Sequence, residues 1–154
     1  MITKPFTLYF RVRYAECDAQ KIVFNGRYAD YADLAATEFI RVVWGNYQNV
    51  LESGIDNQVV NLNIDWFAPA MFDDVVAIEV KTGNIGNTSY SLEMKMYRHT
   101  IDTKPNTVLA SMSLTYVVVD ATTYIKMPIP VGLRESLIQG AVGVSVNQSG
   151  AELR

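Results

Sequence analysis

The sequence predicts an α+β domain in which one long helix is set against a five-stranded antiparallel sheet. Two observations carry this. Residues 26–44 hold no proline, and Tyr28, Tyr31, Ala35, Phe39, Val42 and Val43 recur near one face at helical spacing. From residue 60 onward the apolar pattern changes to period two and stays there, the mark of half-buried strands. A chain of 154 residues, 49% apolar and 19% charged, is too apolar for a disordered polymer. It can bury a core without disulfides or a metal.

In chain order, residues 6–14 alternate large apolar residues with Thr and Arg and form the first strand. A polar loop, 15–21, leads to the helix, which at 1.5 Å per residue is roughly 28 Å long, enough to cross a small sheet. Ala29, Ala32, Ala35 and Ala36 let it lie close to its partner surface; Asn25 occupies the N-cap position, and Gly45-Asn46 closes the helix. After a link at 48–53, Val60, Leu62, Ile64 and Trp66 alternate with Asn61, Asn63 and Asp65 as the second strand. Segments 74–82, 89–98 and 107–120 complete the sheet as successive antiparallel strands, separated by Gly86-Asn87 and by the polar loop 100–106. Residues 131–139 form a short last helix. The expected domain is 1–139, with 140–154, rich in Gly, Ser and Asn, as a flexible tail. One helix covers one face of such a sheet, so the other face and the free edge need polar side chains or a partner subunit. Tyr116-Val117-Val118-Val119, apolar on both faces, points to a symmetric oligomer.

Composition narrows the function. A net charge of −3 argues against nucleic acid as the main partner. No apolar run approaches the ~20 residues that span a bilayer. The single cysteine, Cys17, and a start without a basic, apolar leader make the cytoplasm the expected compartment. With one Cys and one His, the usual zinc sites are excluded. G-x-S-x-G, a P-loop and G-x-G-x-x-G are all missing, and a Cys17–His99 couple would require both a contact in the fold and a shifted pKa. An aspartate is the better chemical group.

Asp18 stands in the loop before the long helix, and Asn25 stands at the helix start. A helix N-terminus exposes unpaired N–H groups and carries partial positive charge, which suits a carbonyl oxygen gaining negative charge. An ionised carboxylate nearby can attack that carbonyl or activate water. The residues alone leave a second reading open, a loop Asp making turn hydrogen bonds beside a capping Asn.

The run Asp18-x-x-x-Ile22-Val23-Phe24-Asn25-x-x-Tyr28 resembles the helix-entry motif of the hotdog-fold acyl-CoA thioesterases of the 4-hydroxybenzoyl-CoA thioesterase type. Val60-Asn61-Leu62-Asn63-Ile64-Asp65-Trp66-Phe67-Ala68-Pro69-Ala70, then Phe72-Asp73-Asp74, is similar to that family's second strand and the turn after it. Ile85-Gly86-x-x-Ser89 matches the next hairpin and Val118-Val119-Asp120 the last strand, so the likeness spans residues 6–137. The resemblance implies a sheet wrapped around one central helix, and dimers that often pair into tetramers. It implies hydrolysis of an acyl-CoA thioester without metal or redox cofactor, coenzyme A entering as part of the substrate. Asp18 is then nucleophile or general base, the Asn25 N–H polarises the thioester carbonyl, and Tyr28 shapes the site. It further implies substrate contacts for Asp33, Thr88, Ser89 and Tyr90; Asn61, which alternates away from Leu62 and Ile64, is a candidate to position substrate or water if it lies at a subunit boundary. Arg27, Lys81, Arg98 and Lys104 are candidates for the coenzyme phosphates, and Trp66 for the core or the acyl-pocket wall. Two positions depart from the pattern: Lys21 and Asp73 stand where the family commonly has Gly. Two rivals keep the fold, a hydratase or dehydratase, which needs a His paired with an acid, and a non-catalytic acyl-CoA-binding module.

Overall fold

The first strand, β1 (Phe6–Arg11), puts Phe6, Leu8 and Phe10 on the side that receives the helix. A computed structural model describes residues 3–100 and 106–153. A 3₁₀ turn (Tyr14–Glu16) and a tight hairpin lead from β1 into α1 (Arg27–Val43). Then follow α2 (Tyr47–Glu52), β2 (Ile55–Trp66), β3 (Val75–Ile85), β4 (Ser89–Arg98), β5 (Thr107–Asp120), α3 (Val131–Gln139) and β6 (Ser145–Asn147).

The sheet has six strands in the order β2-β5-β4-β3-β1-β6, antiparallel except that β6 runs parallel to β1. The expected count of five is therefore corrected. The sixth strand comes from the segment read as a flexible tail: Ser145–Asn147 pairs with Thr7–Tyr9, and Ala141 is buried. β2 also begins earlier than the alternation suggests. A bulge between Val59 and Asn61 shifts the face of every residue beyond it, so the period-two signal reads cleanly only from residue 60.

α1 lies across one face of the sheet. Tyr28, Tyr31, Ala32, Ala35, Ala36, Phe39 and Ile40 are buried there, the alanines giving close approach and Phe39 and Tyr31 meeting Phe6 and Phe10 edge-on or tilted. The opposite face is polar: Glu79 stands across from Lys95, Lys81 across from Glu93, and Glu93 accepts the Ser113 hydroxyl. Of the two ways to satisfy that face, the chain uses polar side chains. It also covers both sides of the apolar end of β5 by itself. The 121–129 segment folds back, Met127 N–H donating to Val118 C=O, and both Val118 and Val119 are buried.

The entry to α1 differs from expectation. The N-cap is Gly26, in the right-handed helical region (φ −65°), without a side-chain cap. Arg27 N–H bonds Phe24 C=O and Tyr28 N–H bonds Asn25 C=O, so Asn25 contributes its carbonyl rather than its side chain. Gly26 leaves room for Phe24, since a Cβ there would lie 2.9 Å from the Phe24 ring.

Candidate active site

The loop between the 3₁₀ turn and α1 is a small hairpin. Phe24 N–H donates to Glu16 C=O, Asp18 N–H to Ile22 C=O and Lys21 N–H to Asp18 C=O, all at 2.9 Å. The tight turn forces Lys21 to φ +64°, and Asp73 takes φ +68° in the turn before β3. These are the two positions at which the resemblance leads one to expect Gly, and the backbone holds a left-handed conformation there despite the strain a Cβ adds. Val23 N–H reaches across to Ala70 C=O at 2.8 Å and ties the hairpin to the segment after β2. The Tyr28 hydroxyl accepts the Ala70 N–H at 3.3 Å, and its ring meets Trp66 edge-on. Burial pushes the Tyr28 pKa up, so the hydroxyl stays protonated.

Between these elements lies a pocket of about 410 Å³. Asp18, Asn25 and Tyr28 all line it, together with Gln20, Ile22, Val23 and Phe24 from the hairpin and 66–69 from beyond β2. Asp18 is its one charged wall residue. The Asp18 carboxylate is half-buried, and Oδ1 accepts the Gln20 N–H at 2.7 Å. Among the described residues Oδ2 accepts nothing, and neither the Asn25 nor the Gly26 N–H has an acceptor. One pocket is therefore lined by a residue with a free carboxylate oxygen, by Asn25 with a free donor beside the positive end of a helix, and by aromatic walls that shed water.

The other predicted residues fall elsewhere. Asp33 is exposed and lines a groove on another side of α1, five residues past Tyr28 and so about 140° around the helix. Asn61 points away from α1, where its Oδ1 accepts Asn63 Nδ2, and with Ser89 it lines a polar cleft. Thr88 and Ser89 shape the β3–β4 turn: Thr88 C=O accepts Val118 N–H and Ser89 C=O accepts Gly86 N–H. Tyr90 is 1% exposed, packed between Trp44 and Tyr116 with its hydroxyl donating to Asn57, so its side chain belongs to the core.

Arg27 pairs with Asp30 at 3.2 Å, and Lys81 stands on the polar sheet face. Arg98 is committed to Asp74 (2.9 Å) and Pro69 C=O (2.6 Å), a brace for the turn after β2. Lys104 lies outside the described residues. His99 ends β4 against Tyr9 and is not a wall of the Asp18 pocket, so the acid–His pair of a hydratase does not form there. Burial, then Glu16 and Asp18, raise the Cys17 thiol pKa, the opposite of what a nucleophilic thiolate needs. Sequence reasoning did not single out Gln20, Phe24 or Phe67 as pocket walls. A signal was present for Phe67, which lies between the last residue of β2, Trp66, and Pro69, a residue that cannot continue a strand ladder.

The sequence model of the thioesterase superfamily matches residues 20–104, more than half of the chain. The chain belongs to the thioesterase superfamily. The match includes Asn25 and Tyr28 and begins just after Asp18. The acyl-CoA thioesterase YbgC of Haemophilus influenzae is 28% identical to this superfamily member over 102 residues, 66% of this chain and 75% of that protein. Two solved structures share the fold. A 1,4-dihydroxy-2-naphthoyl-CoA thioesterase from Synechocystis gives a TM-score of 0.74 at 18% identity, over 86% of this chain and 95% of its own. An Asp-to-Asn variant of 4-hydroxybenzoyl-CoA thioesterase, complexed with 4-hydroxybenzoyl-CoA, gives 0.75 at 21% identity, over 85% and 96%. Both support the hotdog arrangement of helix and sheet that the resemblance implies. Among the described residues no helix is long and apolar enough to cross a membrane.

Proposed function

We propose that this thioesterase hydrolyses acyl-CoA thioesters to a free acid and coenzyme A, with the chemistry centred on Asp18 and the start of α1. The thioester oxygen sits at the Asn25 N–H, where the helix end stabilises the charge that develops as the carbonyl is attacked. Asp18 Oδ2 acts in one of two ways. As a general base it takes a proton from water while the water oxygen bonds the carbonyl carbon. As a nucleophile it bonds that carbon itself, forming an acyl–carboxylate anhydride that water then opens. In both, the C–S bond breaks and the departing thiolate takes a proton. The chain supplies no cofactor, and coenzyme A arrives with the substrate.

The observation that carries this reading is the shared pocket: Asp18, with an unengaged carboxylate oxygen, and Asn25, with an unengaged N–H, line one cavity together with Phe24, Trp66 and Phe67. We place the working protein in the cytoplasm as a symmetric dimer or tetramer. The support is β2, the edge strand of the sheet among the described residues, whose end, Trp66, joins the pocket wall and stays 50% exposed, so that a partner at this edge would close the cleft.

Thiol release from short, long and aromatic acyl-CoAs, run beside enoyl-CoA hydration and equilibrium binding, tests the reading. Asp18→Asn is expected to keep binding and lower turnover by about three orders of magnitude or more. A near-wild-type rate returns Asp18 to a turn residue. Binding without thiol release makes the protein an acyl-CoA-binding module. Asn25 separates backbone from side chain. Asn25→Pro removes the free donor and is expected to cost about 10²–10³ in rate, whereas Asn25→Ala keeps the N–H and the rate. Because the Asn25 side chain does not cap α1, the Ala variant is also expected to hold its thermal midpoint. Circular dichroism checks that both variants remain folded. Mass analysis of the Asp18 peptide after a single turnover in ¹⁸O-water tells nucleophile from base, label in Asp18 marking the anhydride.

A further inference from the structure

Two residues before Asp18 the chain buries a second carboxylate. Glu16 is 6% exposed and lines a different groove from Asp18, together with Arg13 and Tyr31. Its Oε1 accepts the Arg13 N–H at 2.8 Å, and its Oε2 lies 3.1 Å from the Arg13 guanidinium. The Tyr31 hydroxyl, on α1, is buried without a hydrogen-bond partner among the described residues. Glu16 and Tyr31 line the same groove, and burial and then the Glu16 carboxylate push the Tyr31 pKa up. A carboxylate this buried is costly unless its charge is matched; here one oxygen caps the 3₁₀ turn at the Arg13 N–H and the other meets the Arg13 guanidinium.

The backbone of Glu16 shows what the carboxylate holds. Its C=O accepts the Phe24 N–H, the outermost rung of the hairpin, while Asp18 stands on one arm and Asn25 directly follows the other. Holding Glu16 therefore holds both arms. A shift of about 1 Å between reacting groups can cost about 10² in rate.

We propose that Glu16 is a positioning residue: by gripping Arg13 and facing Tyr31 it fixes the base of the hairpin, and so the placement of Asp18 Oδ2 relative to the Asn25 N–H. It lines no part of the Asp18 pocket. The inference rests on the hydrolase reading above.

The test compares Glu16→Gln, Glu16→Ala and Arg13→Met by steady-state thiol release with the best wild-type substrate. Glu16→Ala is expected to lower kcat about 100-fold and Glu16→Gln about tenfold, with KM within about threefold. Arg13→Met, which loosens the same grip from the other side, is expected to lower kcat without moving KM. In an Asp18→Asn background, Glu16→Gln is expected to change the residual rate by less than about twofold, because the group it aims is gone. A kcat within twofold of wild type in both Glu16→Gln and Arg13→Met overturns the proposal, as does an additive loss in the Asp18→Asn background. Should Glu16→Ala fail to fold, the other two variants decide. Amide exchange at Asp18 and Phe24, read by NMR, reports the grip without any turnover: faster exchange in Glu16→Gln is expected, and unchanged exchange overturns the proposal. A wild type that releases no thiol from any acyl-CoA overturns the hydrolase reading instead, a result the exchange measurement does not share.

Discussion

At one edge of the sheet, β1 carries β6 as a parallel neighbour, and hydrogen bonds extend the contact at both ends: Thr7 N–H to Val144 C=O, Gln148 N–H to Tyr9 C=O, Arg11 Nε to Ser149 C=O. Asn147 then accepts both the N–H and the hydroxyl of Ser149, folding the segment onto itself. At the other edge, β2 runs for 12 residues paired with β5 on its inner side and, among the described residues, with no strand on its outer side, and Val59 and Val60 are more than half exposed. An open edge with apolar residues invites pairing with other chains, and proteins usually blunt it. Here the edge far from the pocket is covered by the chain, while the edge leading into the pocket wall is left free. The difference shows that this chain can cover an edge and leaves one without a neighbouring strand among the described residues, the edge to which the proposed assembly assigns the partner.

Several changes break or sharpen this contrast. The largest effect is expected from Val60→Asp, which sets like charges against each other wherever two β2 edges meet about a symmetry axis. Sedimentation should show a monomer, and turnover should fall about 100-fold or more, a cleft completed by a partner being lost with it. A monomer that keeps its rate would show that one chain holds the whole site. Val60→Thr controls for folding. Next comes deletion of 141–154, which strips β1. The thermal midpoint is expected to fall by roughly 5–10 °C, equivalent to a few kcal/mol at this size, and light scattering should reveal new, concentration-dependent association. Rate per folded site should hold. The smallest effect is expected from Arg11→Met, which removes one tie to Ser149 and one partly exposed ion pair to Asp73. About 1 kcal/mol or less, measured by denaturant unfolding, is the expected loss.

Much of this was legible in the sequence where the signal is local. The helix showed in the spacing of Tyr28, Tyr31, Ala35 and Phe39, and the limits of β4, β5 and α3 follow from alternation and turn residues. β6 was not legible: it is three residues long with one apolar side chain, and its anchor, Arg11 to Ser149, spans 138 positions. The first half of β2 was hidden by its bulge. In the site, Asp18, Asn25 and Tyr28 meet because they sit on one hairpin and one helical turn. The alternation of Asn61 with Leu62 shows it turned to the polar face, whereas Tyr90 rests on likeness alone and the pleat sends it to the core. The Asn25 cap failed for a different reason: with Gly26 already helical, the Phe24 carbonyl opens the helix and no side chain is needed.

The bulge in β2 has a bearing on which lengths of this strand are possible. Val59 pairs with Tyr116 and Asn61 with Thr115, so Val60 is a residue without an opposite number. Losing Val60 would leave every other pair in place, with Leu62, Ile64 and Trp66 still turned toward α1. Losing a residue from the regular stretch between Leu62 and Trp66 would instead turn those beyond it to the wrong side. Related chains one residue shorter in this strand can thus be accommodated at a single point, and insertions or deletions among them should gather there.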